Sequence, residues 1–206
     1  MDYSKQAPKE IIDKTIIALK ANGITAEVVE TPQEAKAKVL SLIPKDAEVM
    51  TMTSITLEQT GIADAINNSG NYNLVKDELS VLDRAKDSLK MQKIGAAPEW
   101  AIGSAHAVTE NGEVLIASNT GSQLPAYAYG ATHLIWIIGT QKIVKDIADG
   151  MKRIQEYIVP KETLRARKAY GLPDTYNTNI SKLLIVNKEL NPDRIKIIFV
   201  NQIVGF

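Results

Sequence analysis

The sequence predicts an α/β fold, in which a mostly parallel sheet is flanked by helices and one β-hairpin lies near the middle. Strand-like and helix-like segments alternate with short connections, and residues 133–139 form a continuous apolar run. Strands of a parallel sheet are buried on both faces and read as such runs. Asn111-Gly112 between two apolar stretches is a strong hairpin signal. No linker-like segment divides the 206 residues, so we expect a single domain over 1–206, with 1–45 as a lead-in.

Helix signals organise the first half of the chain. Apolar residues within 4–21 recur at helical spacing, and Asn22-Gly23 supplies a stop. Thr31 and Pro32, with a glutamate three residues after the threonine, predict a helix running to about Leu42. The segment 56–59 repeats the capping pattern, with Thr56 as the expected cap. We expect strands at 24–29, 47–52 and 74–75, and a further helix at 81–94.

The second half continues the alternation. An amphipathic pattern predicts a helix over 143–158, and Pro160 should begin another that ends near Gly171. A short helix is expected at 124–130, closed by Gly130. Asn191-Pro192 separates two late strands. The strands expected in this half are 100–103, 106–109, 113–117, 133–139, 183–186 and 195–200.

Composition narrows the classes of function. Lysine plus arginine and aspartate plus glutamate both total 24, so the formal net charge is zero, and no dense basic patch predicts nucleic-acid binding. The chain has no cysteine and two histidines, which argues against thiolate or histidine-rich metal sites. The first residues lack a signal-peptide pattern and the apolar runs are too short to cross a membrane. We therefore expect a cytoplasmic protein that binds neither nucleic acid nor membrane.

Three connections are candidates for a ligand site, because ligands of open α/β sheets bind beyond the carboxyl ends of the strands. They are 53–56, 118–123 and 139–142. Hydroxyls beside a helix N-terminus favour an anion, and successive amides around a glycine turn can form an anion-binding nest. Each connection can equally be an ordinary loop or helix cap. The candidate binding residues are Thr53, Ser54, Thr56, Gly103, Asn119, Thr120, Gly121, Ser122, Gln123 and Lys142.

Glu110 directly precedes the Asn-Gly turn and is the candidate catalytic residue. If the hairpin tip leans over the loops at 53–56 and 118–123, its carboxylate could attack an acyl group or move a proton. A glutamate beside a turn is otherwise a solvated flank. Neither GxGxxG nor GxxxxGK[ST] occurs in the sequence, and we expect no bound cofactor and no metal.

Three stretches resemble the LUD (lactate-utilisation) domain family, which includes lactate utilisation protein C. They are TSITLEQTGI from residue 53, WAIGSAHAVTENGEVLIASNTGSQLPAYAYGATHLIWIIGTQKIV from residue 100, and RIKIIFVNQIVGF at the end, so the resemblance covers about 47–206. It implies a fold like those of glucosamine-phosphate deaminases, ribose-phosphate isomerases and CoA transferases. It also implies a role in oxidation of lactate to pyruvate. Many relatives carry Asp and then Gly-Asn-Arg where this chain has SNTGSQ, and some carry a cysteine cluster that is absent here.

The resemblance favours an accessory or regulatory component of lactate oxidation that binds a small carboxylate or phosphate. Such a component would work beside other lactate-utilisation subunits, and a homo-oligomer is compatible with it. An alternative is an independent CoA or acyl transferase, because TENGEVL also resembles the Ser-Glu-Asn-Gly motif of one CoA-transferase class. A sugar-phosphate isomerase using Glu110 as its base is a variant of that alternative. The third interpretation is a binding or assembly module that catalyses no reaction.

Overall fold

The computed structural model describes residues 2–206 and contains two sheets. The larger has six strands in the order β1-β10-β7-β4-β2-β3, and every pair in it is parallel. The smaller is mixed, with the order β8-β5-β6-β9. The predicted fold class is confirmed. The strands are β1 (Thr25–Val29), β2 (Glu48–Thr51), β3 (Asn73–Leu74), β4 (Trp100–Gly103), β5 (Ala107–Thr109), β6 (Val114–Ser118), β7 (His133–Gly139), β8 (Ile143–Val144), β9 (Lys182–Val186) and β10 (Ile195–Val200).

Within residues 2–206, eight α-helical segments accompany these strands. They are α1 (Lys9–Ala21), α2 (Pro32–Leu42), α3 (Ile55–Gln59), α4 (Ile62–Asn67), α5 (Val75–Ser80), α6 (Ser88–Ala96), α7 (Ile147–Arg153) and α8 (Val159–Tyr170). Residues 126–130 and 154–158 are π-helical, and Thr140–Lys142 form a 3₁₀ turn. None of the helices in 2–206 combines the length and apolarity that a membrane crossing requires.

The central strand β7 shows how the core is layered. Leu134, Trp136 and Ile138 face one apolar cluster, which α1 and the inner face of the small sheet complete. Ile135 and Ile137 face the opposite cluster, beneath α2, α3 and α4. The two-residue period of a strand thus sends alternate side chains into two cores, which is why this segment is apolar throughout. The outer face of the small sheet packs against Ile154 and Ile158 in a third cluster.

The hairpin forms between β5 and β6 as predicted, with Val108 paired to Val114. Its turn is longer than the two residues that Asn-Gly suggests. The Gly112 amide donates to the Thr109 carbonyl (2.9 Å), and Gly112 takes a φ of +85°. A turn followed by a left-handed glycine is the usual three-residue hairpin loop.

The N-caps confirm one predicted helix start and correct another. The Thr31 hydroxyl accepts from the Glu34 amide at 3.2 Å, as the capping pattern predicts. The prediction that Thr56 caps the next helix is wrong, because Ser54 is the N-cap residue and accepts from the Leu57 amide. Thr56 lies inside α3 and its hydroxyl is turned toward Lys142.

Three predicted helices differ in extent. The helix expected at 81–94 is found only in part, as α6, because the Asp83 carboxylate accepts from the amides of Ala85 and Lys86 and favours a turn over a helix. The helix α5, which precedes this range, was not predicted. The helix expected from 143 begins at 147, since Ile143 pairs with Val108 in the small sheet. From there the backbone stays helical to Tyr170, through the π segment. Pro160 therefore does not start a separate helix; it lacks the amide that a regular α-helical turn would use.

Candidate functional site

The principal cavity lies at the carboxyl ends of β2 and β4 and has a volume of about 510 Å³. Volumes of this size are typical of small-molecule sites. One wall is the connection after β2, another is the loop after β6, and a third is the helical segment from the π turn to α8. The polar and charged side chains that line it include those of Thr53, Ser54, Thr56, Glu58, Lys76, Arg84, Ser104, His106, Ser118, Asn119, Ser122, Gln123, Tyr127, Lys142, Glu162 and Arg165.

The connections 53–56 and 118–123 meet at this cavity. Thr53, Ser54 and Thr56 line it from one side, and Asn119, Ser122 and Gln123 from the other. Loops that follow neighbouring strands of one sheet and the adjoining hairpin are brought to the same end of the fold. The structure therefore juxtaposes two polar segments that lie more than 60 residues apart in the chain.

The turn at 120–121 has a different arrangement from the expected anion-binding nest. Gly121 is left-handed (φ +87°), as a glycine turn requires, but its amide donates to the Ser118 hydroxyl at 2.8 Å. The Ser122 amide points to the Thr120 hydroxyl at 3.4 Å. Thr120 and Gly121 do not line the cavity. This loop consequently offers side-chain hydroxyl and amide groups to the cavity, while these backbone amides are used within the loop.

Lys142 is buried at the cavity wall, with 3% of its surface exposed. Its Nζ donates to Thr56 Oγ1 (3.0 Å), Ser104 Oγ (3.2 Å) and the Ala105 carbonyl (3.3 Å). All three partners are neutral, and no ion pair within residues 2–206 involves this lysine. Burial, and to a smaller extent the charge of Arg153, lowers the pKa of Lys142 to about 7.

His106 lines the cavity beside Lys142. Its Nδ1 accepts from the Ala117 amide (3.2 Å), so the neutral ring carries its proton on Nε2. Burial lowers the pKa of His106 to about 3, with the charges of Lys142 and Arg153 contributing. The imidazole is therefore neutral at physiological pH and contributes a polar, uncharged group to the cavity lining.

Arg153, the last residue of α7, lies behind His106. The guanidinium is completely buried, and its Nη1 donates to the His106 carbonyl at 2.6 Å. The rings of Tyr3 and Tyr157 lie 5.9 Å and 5.3 Å from its central carbon, within cation–π range. Burial lowers the pKa of Arg153 to about 10. Two cationic groups thus flank His106 in the interior.

Tyr127 enters the cavity from the π-helical segment and depends on Gly103. A Cβ at Gly103 would overlap the Tyr127 hydroxyl and lie 2.8 Å from the ring carbon Cζ. The ring meets Trp136 edge-on, with centroids 5.4 Å apart. Burial raises the pKa of Tyr127, so the phenol stays protonated. Gly103 is not among the cavity-lining residues; its contribution is space for this ring.

The remaining charged groups give the cavity an excess of positive charge. Lys76, Arg84 and Arg165 line it together with Lys142, whereas Glu58 and Glu162 are the acidic lining residues. Arg165 and Glu162 form a bidentate pair at 2.6 and 2.7 Å and largely neutralise each other. Burial lowers the pKa of Lys76, and Glu58 opposes that shift. No cluster of metal-ligating side chains occurs within the described residues 2–206.

Glu110 does not line this cavity, and the expectation that the hairpin tip leans over the two loops is wrong in its geometry. Its carboxylate pairs with Lys14 of α1 at 2.7 Å, and its amide donates to the Val144 carbonyl. It lines a second cavity of about 250 Å³ together with N-terminal residues such as Tyr3 and Pro8. The turn points toward α1 because Gly112 packs on the backbone of Ala18.

Sequence reasoning missed His106, Ser104 and Tyr127 as cavity residues. Ser104 and His106 directly follow β4, so the rule that sites form beyond strand ends could have indicated them. Tyr127 gave no such signal, since its position depends on packing against β4 and β7. The segment Tyr127-Ala128-Tyr129 offered no periodicity that distinguishes a cavity residue from a core residue.

Comparison with known proteins places the chain in a family. The sequence profile of the LUD domain matches residues 12–200, and the chain belongs to the LUD domain family. The matched region includes most of the segment expected as a lead-in, in keeping with the position of β1 beside β10. No curated protein matches the sequence. A crystal structure of a DUF162 family protein from Deinococcus radiodurans is similar in fold, with a TM-score of 0.56 and 10% identity, over 96% of this chain and 100% of the other.

Proposed function

We propose that this LUD-family chain binds a small carboxylate or phosphate anion in the principal cavity and acts in organic-acid metabolism. Within that metabolism it would serve as an accessory or regulatory component of the oxidation of lactate to pyruvate. The observation that carries the proposal is Lys142, a buried basic side chain whose hydrogen-bond partners are all neutral. Burying a charge without a counter-charge is costly, and a bound anion would supply that counter-charge.

The rest of the cavity supports an anionic ligand. Lys76 and Arg84 add positive charge to the same cavity, and hydroxyls of Thr53 and Ser54 are suited to donate to ligand oxygens. Asn119, Ser122 and Gln123 would contribute from the opposite loop. Thr120 and Gly121 would shape that loop, and Gly103 would position Tyr127, without contact to the ligand.

The chemistry available in the chain supports the accessory role. These 206 residues contain no cysteine, so thiolate-held iron–sulfur clusters would have to come from other chains. We therefore expect purified chain, given lactate and an artificial electron acceptor, to produce no pyruvate by itself. Steady production of pyruvate by the chain alone would contradict the accessory role and leave the binding proposal to be judged separately.

The binding proposal is tested by a thermal-shift screen with lactate, pyruvate, CoA esters and sugar phosphates. A ligand present at one hundred times its dissociation constant should stabilise the folded chain by about 2.7 kcal/mol, which is visible as a raised melting temperature. Lys142→Met should abolish that response. The matched control is Lys145→Met, because Lys145 is exposed and outside the cavity lining. Absence of a shift with every anion, or an equal shift in Lys142→Met, would refute anion binding at this site.

A further inference from the structure

We propose that Lys142 is a carbonyl-reactive amine, and that the cavity captures a small 2-oxo acid as an imine on its Nζ. This inference rests on the proposed binding function and specifies the ligand class for the same site. The Lys142 Nζ lies in a buried position on the cavity wall, where it donates to two hydroxyls and one carbonyl. Lysines used for imine formation are desolvated in this way or placed near another cation.

The surroundings of Nζ can accommodate the neutral amine as well as the ammonium ion. A hydroxyl rotates freely and serves as donor or acceptor, so Thr56 and Ser104 can turn from accepting a hydrogen bond to donating one to the nitrogen lone pair. A carboxylate in their place would hold the proton on the nitrogen. With a pKa of about 7, roughly half of the Lys142 side chains carry a free lone pair at neutral pH.

The cavity also selects the type of carbonyl compound. A 2-oxo acid has an electrophilic carbon next to a carboxylate, and Lys76 and Arg84 are the cationic lining groups left to bind that carboxylate once Lys142 reacts. A 2-hydroxy acid has the same carboxylate but no carbonyl, and it cannot form an imine. The site would thereby distinguish the oxidised acid from the reduced one by chemistry, whatever their relative affinities.

The step balances without an external oxidant or reductant. The Nζ lone pair attacks the carbonyl carbon, and the carbonyl oxygen takes up a proton as the C–N bond forms. The nitrogen then loses a proton, the new hydroxyl gains one, and the C–O bond breaks to release water. The product is a C=N bond to Lys142. The Thr56 and Ser104 hydroxyls, both within 3.2 Å of Nζ, are placed to relay these protons.

Reductive trapping tests the imine. The full chain is incubated at pH 7 with pyruvate and cyanoborohydride, digested, and mapped by mass spectrometry, with lactate in a parallel sample. We expect a reduced adduct on the peptide that contains Lys142, and none with lactate. An ordinary lysine is neutral in only about one molecule in 3,000 at this pH, so labelling of Lys142 should exceed that of exposed lysines by on the order of a hundredfold or more.

Two variants and one parallel measurement make the outcomes distinct. Lys142→Met should lose the adduct, and Lys145→Met should keep it. Pyruvate binding in the thermal-shift screen without an adduct on Lys142 would overturn the imine and leave anion binding intact. Adducts spread evenly over exposed lysines would also overturn it. If no anion binds and no adduct forms, both the imine and the proposed binding function fail, and the wild-type chain alone decides this even if Lys142→Met does not fold.

Discussion

At the scale of single residues, the cavity owes its character to two basic side chains in the interior. Lys142 and Arg153 are both buried, and each lowers the pKa of the histidine between them. Neither takes part in an ion pair within residues 2–206. Such an arrangement costs folding free energy, and proteins tolerate that cost mainly at functional sites.

The first consequence concerns stability in acid. The pKa of His106 is about 3 in the folded chain against 6.5 for a free histidine, so between these values the unfolded chain binds a proton that the folded chain excludes. The stability contributed by the neutral ring is complete above pH 6.5 and is lost as pH falls toward 3. In His106→Asn the amide oxygen can still accept from Ala117. The decrease in unfolding free energy between pH 6.5 and 3 should be smaller in this variant than in the wild type by on the order of a few kcal/mol.

Urea denaturation at several pH values measures this effect. The control is His133→Asn, because His133 lies outside the cavity and stacks on Trp100 at 4.2 Å. If His106→Asn shows the same acid sensitivity as the wild type, the surroundings described for His106 are incorrect.

At the scale of elements, β4 and the π-helical segment 126–130 fit together only because β4 ends in glycine. Gly103 lies on the strand that leads to Ser104 and His106, and it leaves room for the Tyr127 hydroxyl. The π segment itself is anchored by Arg194, whose guanidinium donates to the carbonyls of Ala126, Tyr127 and Ala131. Strand end and helical segment are therefore coupled.

Gly103→Ala should consequently destabilise the fold by about 1–3 kcal/mol, the usual range for overpacking a buried site. Tyr127→Phe removes the hydroxyl that the new methyl group overlaps, so the double variant should recover part of that loss. A double-mutant cycle of unfolding free energies measures the coupling. Strict additivity of the two single changes would show that the two residues do not interact as described.

At the scale of the whole molecule, the two sheets separate the hairpin tip from the principal cavity. The small sheet packs on the large one through Val108, Val114 and Ile116, and its loop after β6 reaches the cavity while its turn at 110–112 contacts α1. The turn of the hairpin and the loop that follows β6 therefore lie in different surroundings. Only the loop after β6 lines the principal cavity.

Glu110→Gln should therefore leave the anion response of the thermal-shift screen unchanged. It should alter the unfolding free energy by less than about 1 kcal/mol, since the Glu110–Lys14 pair is partly exposed. Lys14→Met, which removes the same ion pair from its other end, is the matched control. If Glu110→Gln loses the thermal-shift response to anions and Lys14→Met keeps it, Glu110 does contribute to anion binding.

Local sequence signals predicted those helices and strands well whose formation depends only on residues close by in the chain. The Thr31 cap, the Asn-Gly hairpin and the apolar run of β7 all depend on neighbours within a few residues. The signals failed where distant pairing competed. Ile143 and Val144 fit a helix pattern, but pairing with β5 makes them a strand. Thr56 fits a cap pattern, but the Ser54 cap leaves its hydroxyl free for Lys142.

The sequence by itself determined the α/β class, the family resemblance and the polar loops at 53–56 and 118–123, because patterning, turn chemistry and motif order are local properties. Only the tertiary structure decided which polar groups share a cavity. It brought Ser104, His106 and Tyr127 to those loops, buried Lys142 among neutral partners, and turned Glu110 away to Lys14. Burial, and the pKa that follows from it, depends on every element packed around a side chain, so no stretch of sequence contains it.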